Sequence, residues 1–111
     1  YASALQNARA AMSVLREIQS EYQQKMLVGY VGRILHAAGY PDKGLELMLW
    51  FDEKATLDPG FVPPLLDGLP DLLAQLKTIE TAEVWQARRE RSLAQSLDEI
   101  VDWIINDMPV T

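Results

Sequence analysis

The sequence predicts an all-α fold: a helical bundle of three to five helices, with long first and last helices and a proline-rich apolar connector. Three observations predict it. Apolar residues recur at spacings of three and four along both ends of the chain, and no segment reads as a strand. Residues 44–51, Gly-Leu-Glu-Leu-Met-Leu-Trp-Phe, are apolar almost all the way round a helical wheel. Four of the six prolines fall between Pro59 and Pro70, so the strongest helix breakers sit together in one connector. A chain of 111 residues is the size of one domain, spanning residues 1–111.

The first helix is predicted over residues 2–38. Leu5, Ala8, Met12, Leu15, Ile18, Tyr22, Met26, Tyr30 and Ile34 form one stripe, and Gln6, Arg9, Arg16, Glu17, Ser20 and Gln24 lie opposite. Gly29 and Gly32 weaken it by up to about 1 kcal/mol each relative to alanine, and also allow a neighbouring helix to approach closely. Gly39 followed by Pro41 is a stop signal: glycine takes the left-handed cap conformation, and proline cannot continue the hydrogen-bond ladder.

The second helix, from Pro41 or Asp42 to Thr56, is the apolar one. Only Glu46, Asp52, Glu53 and Lys54 keep part of its circumference polar. It must be covered on nearly every side, either as the central element of a bundle or by a second chain. Asp58-Pro59-Gly60 then makes a turn. In the connector that follows, Phe61, Val62, Leu65 and Leu66 are too apolar for a solvated linker and are expected to strap across the bundle end.

Pro70 suits the first turn of the last helical region, with Asp71 favourable beside it. Leu72, Leu76, Ile79, Ala82 and Trp85 mark one face, which Leu93, Leu97, Ile100, Val101, Ile104 and Met108 resume. No glycine or proline interrupts residues 72–108, which allows a single helix with a polar layer at Gln86, Arg89 and Glu90. The rival arrangement is two helices meeting between Thr78 and Thr81, with a threonine capping the second.

Composition excludes several kinds of chemistry. The absence of cysteine removes disulfides, thiolate metal sites and cysteine nucleophiles, and accords with a cytoplasmic protein. His36, the only histidine, excludes multi-histidine metal sites and disfavours a Ser-His-Asp arrangement. Gly29-Tyr30-Val31-Gly32 has neither the spacing nor the preceding strand of a phosphate-binding loop. No apolar run approaches the roughly 18–20 residues needed to span a bilayer, so no membrane association is expected. A net charge of −6 disfavours a nucleic-acid regulator built on Arg88, Arg89 and Arg91, a short basic run that reads first as a solvated helix face.

Two local patterns resemble known families. Glu80-x-x-Glu83 followed by Glu99-x-x-Asp102 resembles the acidic signature of the all-α nucleoside triphosphate pyrophosphohydrolases. The resemblance implies four carboxylates from adjacent helices holding Mg²⁺ against a triphosphate, because a hard cation takes oxygen ligands. It covers about a fifth of the chain. On one continuous helix Glu80 and Glu99 would stand about 28 Å apart, so the resemblance requires a turn between Val84 and Ser96. Separately, Val31-Gly32-x-x-Leu35-x-x-x-Gly39 with Lys54-Ala55-x-Leu57-Asp58-Pro59 is similar to one tetratricopeptide repeat. No second copy occurs, although a solenoid needs about three, so the similarity implies a close-packed helical hairpin.

The expectation drawn from these features is a non-enzymatic helical module for protein–protein interaction or oligomerisation, of an adaptor, chaperone-like or regulatory kind. It carries no cofactor, metal or catalytic residue, and its partner is another protein or a second copy. Surplus apolar surface is the warrant. Ile100, Val101, Trp103, Ile104, Ile105 and Met108 span roughly 200° of the last helix, twice what an ordinary surface helix needs. The candidate interface residues are Met48, Trp50, Phe51, Phe61, Val62, Trp85, Trp103, Ile105 and Met108, rich in types enriched at interface cores.

Overall fold

Residue 19 decides the architecture of the first half of the chain. The computed structural model describes residues 1–54 and 68–110, and these are all helix and connecting turn, with no strand among them. α1 runs Ala2–Glu17, and α2 runs Glu21–Ala37. Between them Gln19 takes a left-handed φ of 56°. Gln19 N–H donates to the Arg16 carbonyl and Ser20 N–H to the Leu15 carbonyl, each at 3.1 Å. That pair of bonds is a Schellman termination, normally built on glycine. The same device recurs where it was expected: Gly39 has φ 99°, and Tyr40 N–H donates to the Leu35 carbonyl at 2.9 Å.

The expected long first helix is therefore two helices. A left-handed glutamine carries strain that glycine does not. Gln19→Gly is expected to raise stability by about 0.5–1 kcal/mol, read as a higher urea midpoint with an unchanged slope. The added freedom of glycine in the unfolded chain limits the gain.

α3, Pro41–Lys54, opens on proline in its first turn, followed by Asp42, both favourable at a helix N-terminus. The connector carrying Phe61 and Val62 lies outside the described residues. α4 spans Leu69–Lys77, α5 spans Ala82–Leu93 and α6 spans Leu97–Asn106. The expected long last helix is thus three helices, and the described residues hold six rather than three to five. Both extra breaks are capped by hydroxyls. Thr81 Oγ1 accepts from Val84 N–H at 3.2 Å. Ser96 Oγ accepts from Glu99 N–H at 3.1 Å, while Ser96 N–H donates back to the Glu99 carboxylate. This is a capping box, and it starts α6.

Two cores share α3. Leu47 and Trp50 face one, with Leu5, Ala8 and Met12 of α1, Val28, Val31 and Leu35 of α2, and Ile100, Val101 and Ile104 of α6. Leu45, Met48, Leu49 and Phe51 face the other, with Leu69 and Leu73 of α4 and Trp85 of α5. A helix apolar all round is what a position between two cores requires. One chain buries it without help. The α2–α3 crossing is close because glycines line it: a Cβ on Gly44 would lie 2.7 Å from the Gly32 carbonyl oxygen, and one on Gly32 2.9 Å from the Gly44 carbonyl oxygen. The hairpin implied by the tetratricopeptide similarity is present, packed backbone to backbone.

Candidate functional site

The large apolar side chains first taken as interface candidates are mostly spent on the two cores. Met48, Trp50, Phe51, Trp85 and Met108 are buried by their own chain. Trp50 also donates its indole N–H to the Gln95 carbonyl at 2.9 Å, which ties α3 to the α5–α6 turn. Trp103 and Ile105 are half-buried at the edge of the first core. The Lys43 ammonium sits 4.5 Å from the centroid of the Trp103 ring, a cation–π contact. Phe61 and Val62 lie outside the described residues.

What stays exposed is a different set. Val14 is 55% exposed, Ile18 62% and Tyr22 43%. Val14 and Ile18 are four residues apart, and Ile18 N–H closes the last helical bond of α1 onto the Val14 carbonyl, so both project from one side. Tyr22 follows in the first turn of α2. These three large side chains lie at the α1–α2 junction, where Gln19 is held in a left-handed conformation. Ile79 and Val84 flank the α4–α5 turn, also exposed. Sequence periodicity had placed Ile18 and Tyr22 on an inward stripe. The break at Gln19 rotates α2 out of register with α1, so Val28, Val31 and Leu35 point inward instead. Gln24, expected outside, is buried and donates its side-chain amide to the Leu15 carbonyl at 3.0 Å.

Beside this corner an open cleft of about 370 Å³ is lined by Arg16, Gln19, Glu21 and Gln24 from the α1–α2 junction and by Ser96, Leu97 and Asp98 from the start of α6. Arg16 forms an ion pair with Asp102 across the α1–α6 seam. Arg9 donates through Nε to the Ile104 carbonyl at 2.9 Å and through Nη2 to the Met108 carbonyl. α6 has no basic residue in its own last turn. Arg9 therefore supplies from α1 the cation that its C-terminal carbonyls favour.

The four carboxylates of the pyrophosphohydrolase resemblance do not converge. The required turn exists, since α5 ends at Leu93, but each well-placed acid has other work. Glu80 accepts two hydrogen bonds from Arg88, at 2.6 and 3.4 Å. Glu99 closes the α6 capping box, and Asp102 pairs with Arg16. Among the described residues, no group of three or more acidic or histidine side chains is placed to hold a metal.

The basic run is likewise committed. Arg88 is buried; its hydrogen bonds to Glu80, with Asp42 adding less, hold its guanidinium above the ordinary arginine range against the opposing effect of burial. Arg89 pairs with Glu53 at 3.0 Å. Arg91 lines a second open cleft, of about 330 Å³, with Asp42, Lys43, Glu46 and Arg88, three bases against two acids. Lys43 and Glu46 pair there at 3.2 Å.

Next to the Arg89–Glu53 pair, burial pushes the Asp52 carboxyl above its ordinary value of 3.8, Glu53 adds to the rise, and Arg89 opposes it. A carboxylate in the last turn of α3 also faces the negative end of the helix dipole. Because the folded state holds this proton more tightly, ionised Asp52 costs stability above its folded pKa, and the cost vanishes below the unfolded one. Asp52→Asn is accordingly expected to raise Tm at pH 7, with the difference from the parent shrinking as pH falls through the carboxylate range. Calorimetry at several pH values checks the sign.

Compared with models of known protein families, with curated proteins and with solved structures, the chain has no significant match. Among the described residues no helix is long and apolar enough to cross a membrane.

Proposed function

We propose that this chain is a non-enzymatic helical protein–protein interaction module, and that it acts by self-association. The observation that supports this most is the exposed apolar corner of Val14, Ile18 and Tyr22. Scattered single apolar residues on a surface need no explanation, whereas a cluster does. Here three large ones fall within nine residues of sequence, at the junction between two helices, whereas Met48, Trp50, Phe51, Trp85 and Met108 are buried. A pre-organised corner loses little conformational entropy on docking. The ring-and-hydroxyl chemistry of Tyr22 suits an interface core with a wet rim.

Glu80, Glu99, Asp102, Arg88 and Arg89 support no competing site as well, since each is engaged within the fold. Light scattering across a dilution series tests the proposal. The parent chain is expected to show a concentration-dependent dimer, and Ile18→Asp is expected to weaken it at least tenfold while leaving the thermal unfolding of the monomer within about 0.5 kcal/mol of the parent. A parent that stays monomeric to millimolar concentration, or an Ile18→Asp variant that dimerises as well as the parent, overturns it.

A further inference from the structure

α3 and α5 face each other across the cleft of about 330 Å³, and the described residues that line it are all charged. Asp42 and Lys43 come from the first turn of α3 and Glu46 from the next, while Arg88 and Arg91 lie three residues apart on one side of α5. The volume is that of a small-molecule site, but its lining holds an occupant by charge rather than by apolar contact. Its walls are fixed before anything binds. Leu45 and Leu49 of α3 share the second core with Trp85 of α5, and Ser92 Oγ donates to the Glu46 carbonyl. Lys43 is pinned between the Glu46 carboxylate, at 3.2 Å, and the Trp103 ring. Arg88 is anchored by Glu80 of the α4–α5 turn, through Nε at 3.4 Å and Nη2 at 2.6 Å.

The charges within the cleft are not matched. Glu46 is taken by Lys43. Asp42 accepts from Arg88 Nη1 at 3.2 Å, but its side chain is almost wholly exposed, and ion pairs of that kind are weak. A guanidinium carries more N–H donors than these three contacts of Arg88 use. Arg91 is exposed and makes no hydrogen bond or ion pair among the described residues. One cation is thus uncompensated, and another is compensated in part by a carboxylate standing in water.

We infer that this cleft is a binding site for a phosphate-type oxyanion, inorganic phosphate or a small phosphomonoester, held between the Arg88 and Arg91 guanidinium groups with Lys43 beside them. The Asp42 carboxylate marks the place of one oxyanion oxygen on Arg88 and yields it to the ligand. A tetrahedral dianion presents oxygens to both guanidinium groups at once, and the planar fork of arginine suits phosphate oxygens. The displacement costs little, because Asp42 moves into full solvation while Glu80 keeps Arg88 in place. The site shares no residue with the exposed corner at the α1–α2 junction, so it adds a ligand to the chain independently of self-association.

Titration with sodium phosphate, followed by amide chemical shifts against sodium chloride at equal ionic strength, tests the assignment. Saturable shifts are expected at residues 41–46 and 88–92, with a dissociation constant on the order of 1 mM. Glycerol 3-phosphate distinguishes the two ligand forms: a site for the ester binds it at least as tightly as phosphate, and a site for the free ion binds it less well. Arg91→Gln changes an exposed side chain and is expected to weaken binding about fivefold or more. Asp42→Asn removes the competing carboxylate and is expected to strengthen binding about threefold. Asp98→Asn changes the net charge equally but in the other cleft, and should bind phosphate like the parent. Shifts still linear at about 50 mM phosphate, or spread over basic residues at large, overturn the site. It is equally overturned if Arg91→Gln binds like the parent, or if Asp42→Asn binds no better than Asp98→Asn.

Discussion

Gly44→Ala is expected to destabilise the fold by about 3 kcal/mol or more, the reverse of what the substitution does on an ordinary helix. In an exposed helix interior, alanine is better than glycine by roughly 0.5–1 kcal/mol, because glycine loses more backbone entropy on folding. At position 44 the added methyl would sit 2.5 Å from the His36 nitrogen and 2.9 Å from its Cα, as well as 2.7 Å from the Gly32 carbonyl oxygen. All three atoms are backbone of α2, so no rotamer change relieves the contact. Relief requires α3 to move off α2, and α3 is the plate between both cores, so the shift loosens each of them. Overpacking of a well-filled interior costs about 1–3 kcal/mol and more where the surroundings cannot yield. Gly32→Ala meets backbone of Gly44 and Met48 at 2.9 Å and should behave similarly. Gly29→Ala meets side chain rather than backbone, the Phe51 ring at 2.8 Å; that ring is buried in the second core, so the substitution is still costly but should cost less than at Gly44. Gly39→Ala has open space around it and pays only for its positive φ. Urea midpoints ranked in that order support the close crossing; a gain in stability at Gly44 would refute it.

How much of this was legible in the sequence varied with the kind of signal each break carries. The Gly39–Pro41 stop was readable because the residue that takes the left-handed conformation there is the one that adopts it freely. The equivalent break at Gln19 was not, since glutamine is an ordinary helix residue and the apolar spacing runs across it without a gap. The consequence spreads beyond the break. The stripe from Leu5 to Met12 is buried as read, but beyond the break Ile18 and Tyr22 turn outward, and the inward side of α2 is carried by Val28, Val31 and Leu35. The Thr81 cap was among the alternatives. The Ser96–Glu99 capping box was present in the letters but masked by the regular spacing of Leu93, Leu97 and Ile100.

α3 was the clearest element. Its apolarity demanded cover on all sides, and its neighbours in space provide that cover. What composition could not say is how many helices do the covering, six among the described residues, because that number depends on where the chain breaks. The candidate interface suffered from the same uncertainty. Trp50, Phe51 and Trp85 have interface-like chemistry, yet burial is decided by topology rather than by residue type. Of the residues left facing water, Ile18 and Tyr22 fall on the stripe that a continuous helix would turn inward, and Val14 lies outside that stripe.

The inward ridge of α5 is the other feature that periodicity hid, and it carries the second large expected effect. α5 points Trp85, Arg88 and Ser92 at the rest of the fold. Ser92 Oγ donates to the Glu46 carbonyl of α3, and Arg88 grips Glu80 with two hydrogen bonds while reaching Asp42 at 3.2 Å. The Arg88 side chain is only 11% exposed and that of Glu80 21%, whereas Asp42 is 89% exposed. The three groups therefore contribute very unequally. Arg88→Met keeps most of the aliphatic volume but strands the Glu80 carboxylate in a poorly solvated turn, and is expected to cost about 2–3 kcal/mol, somewhat below the loss for a fully buried pair. Asp42→Ala removes a solvent-screened partner and should cost under about 1 kcal/mol. Arg88→Lys restores charge without the planar fork that engages both Glu80 oxygens, so it should recover only part of the loss. Removing both charges, Arg88→Met with Glu80→Gln, leaves no stranded ion and should be markedly more stable than Arg88→Met alone, a non-additivity that a double-mutant cycle measures directly. If the two substitutions simply add, Arg88 acts by packing rather than by pairing, and the charged contact between α5 and the α4–α5 turn contributes nothing to holding α5 against the second core.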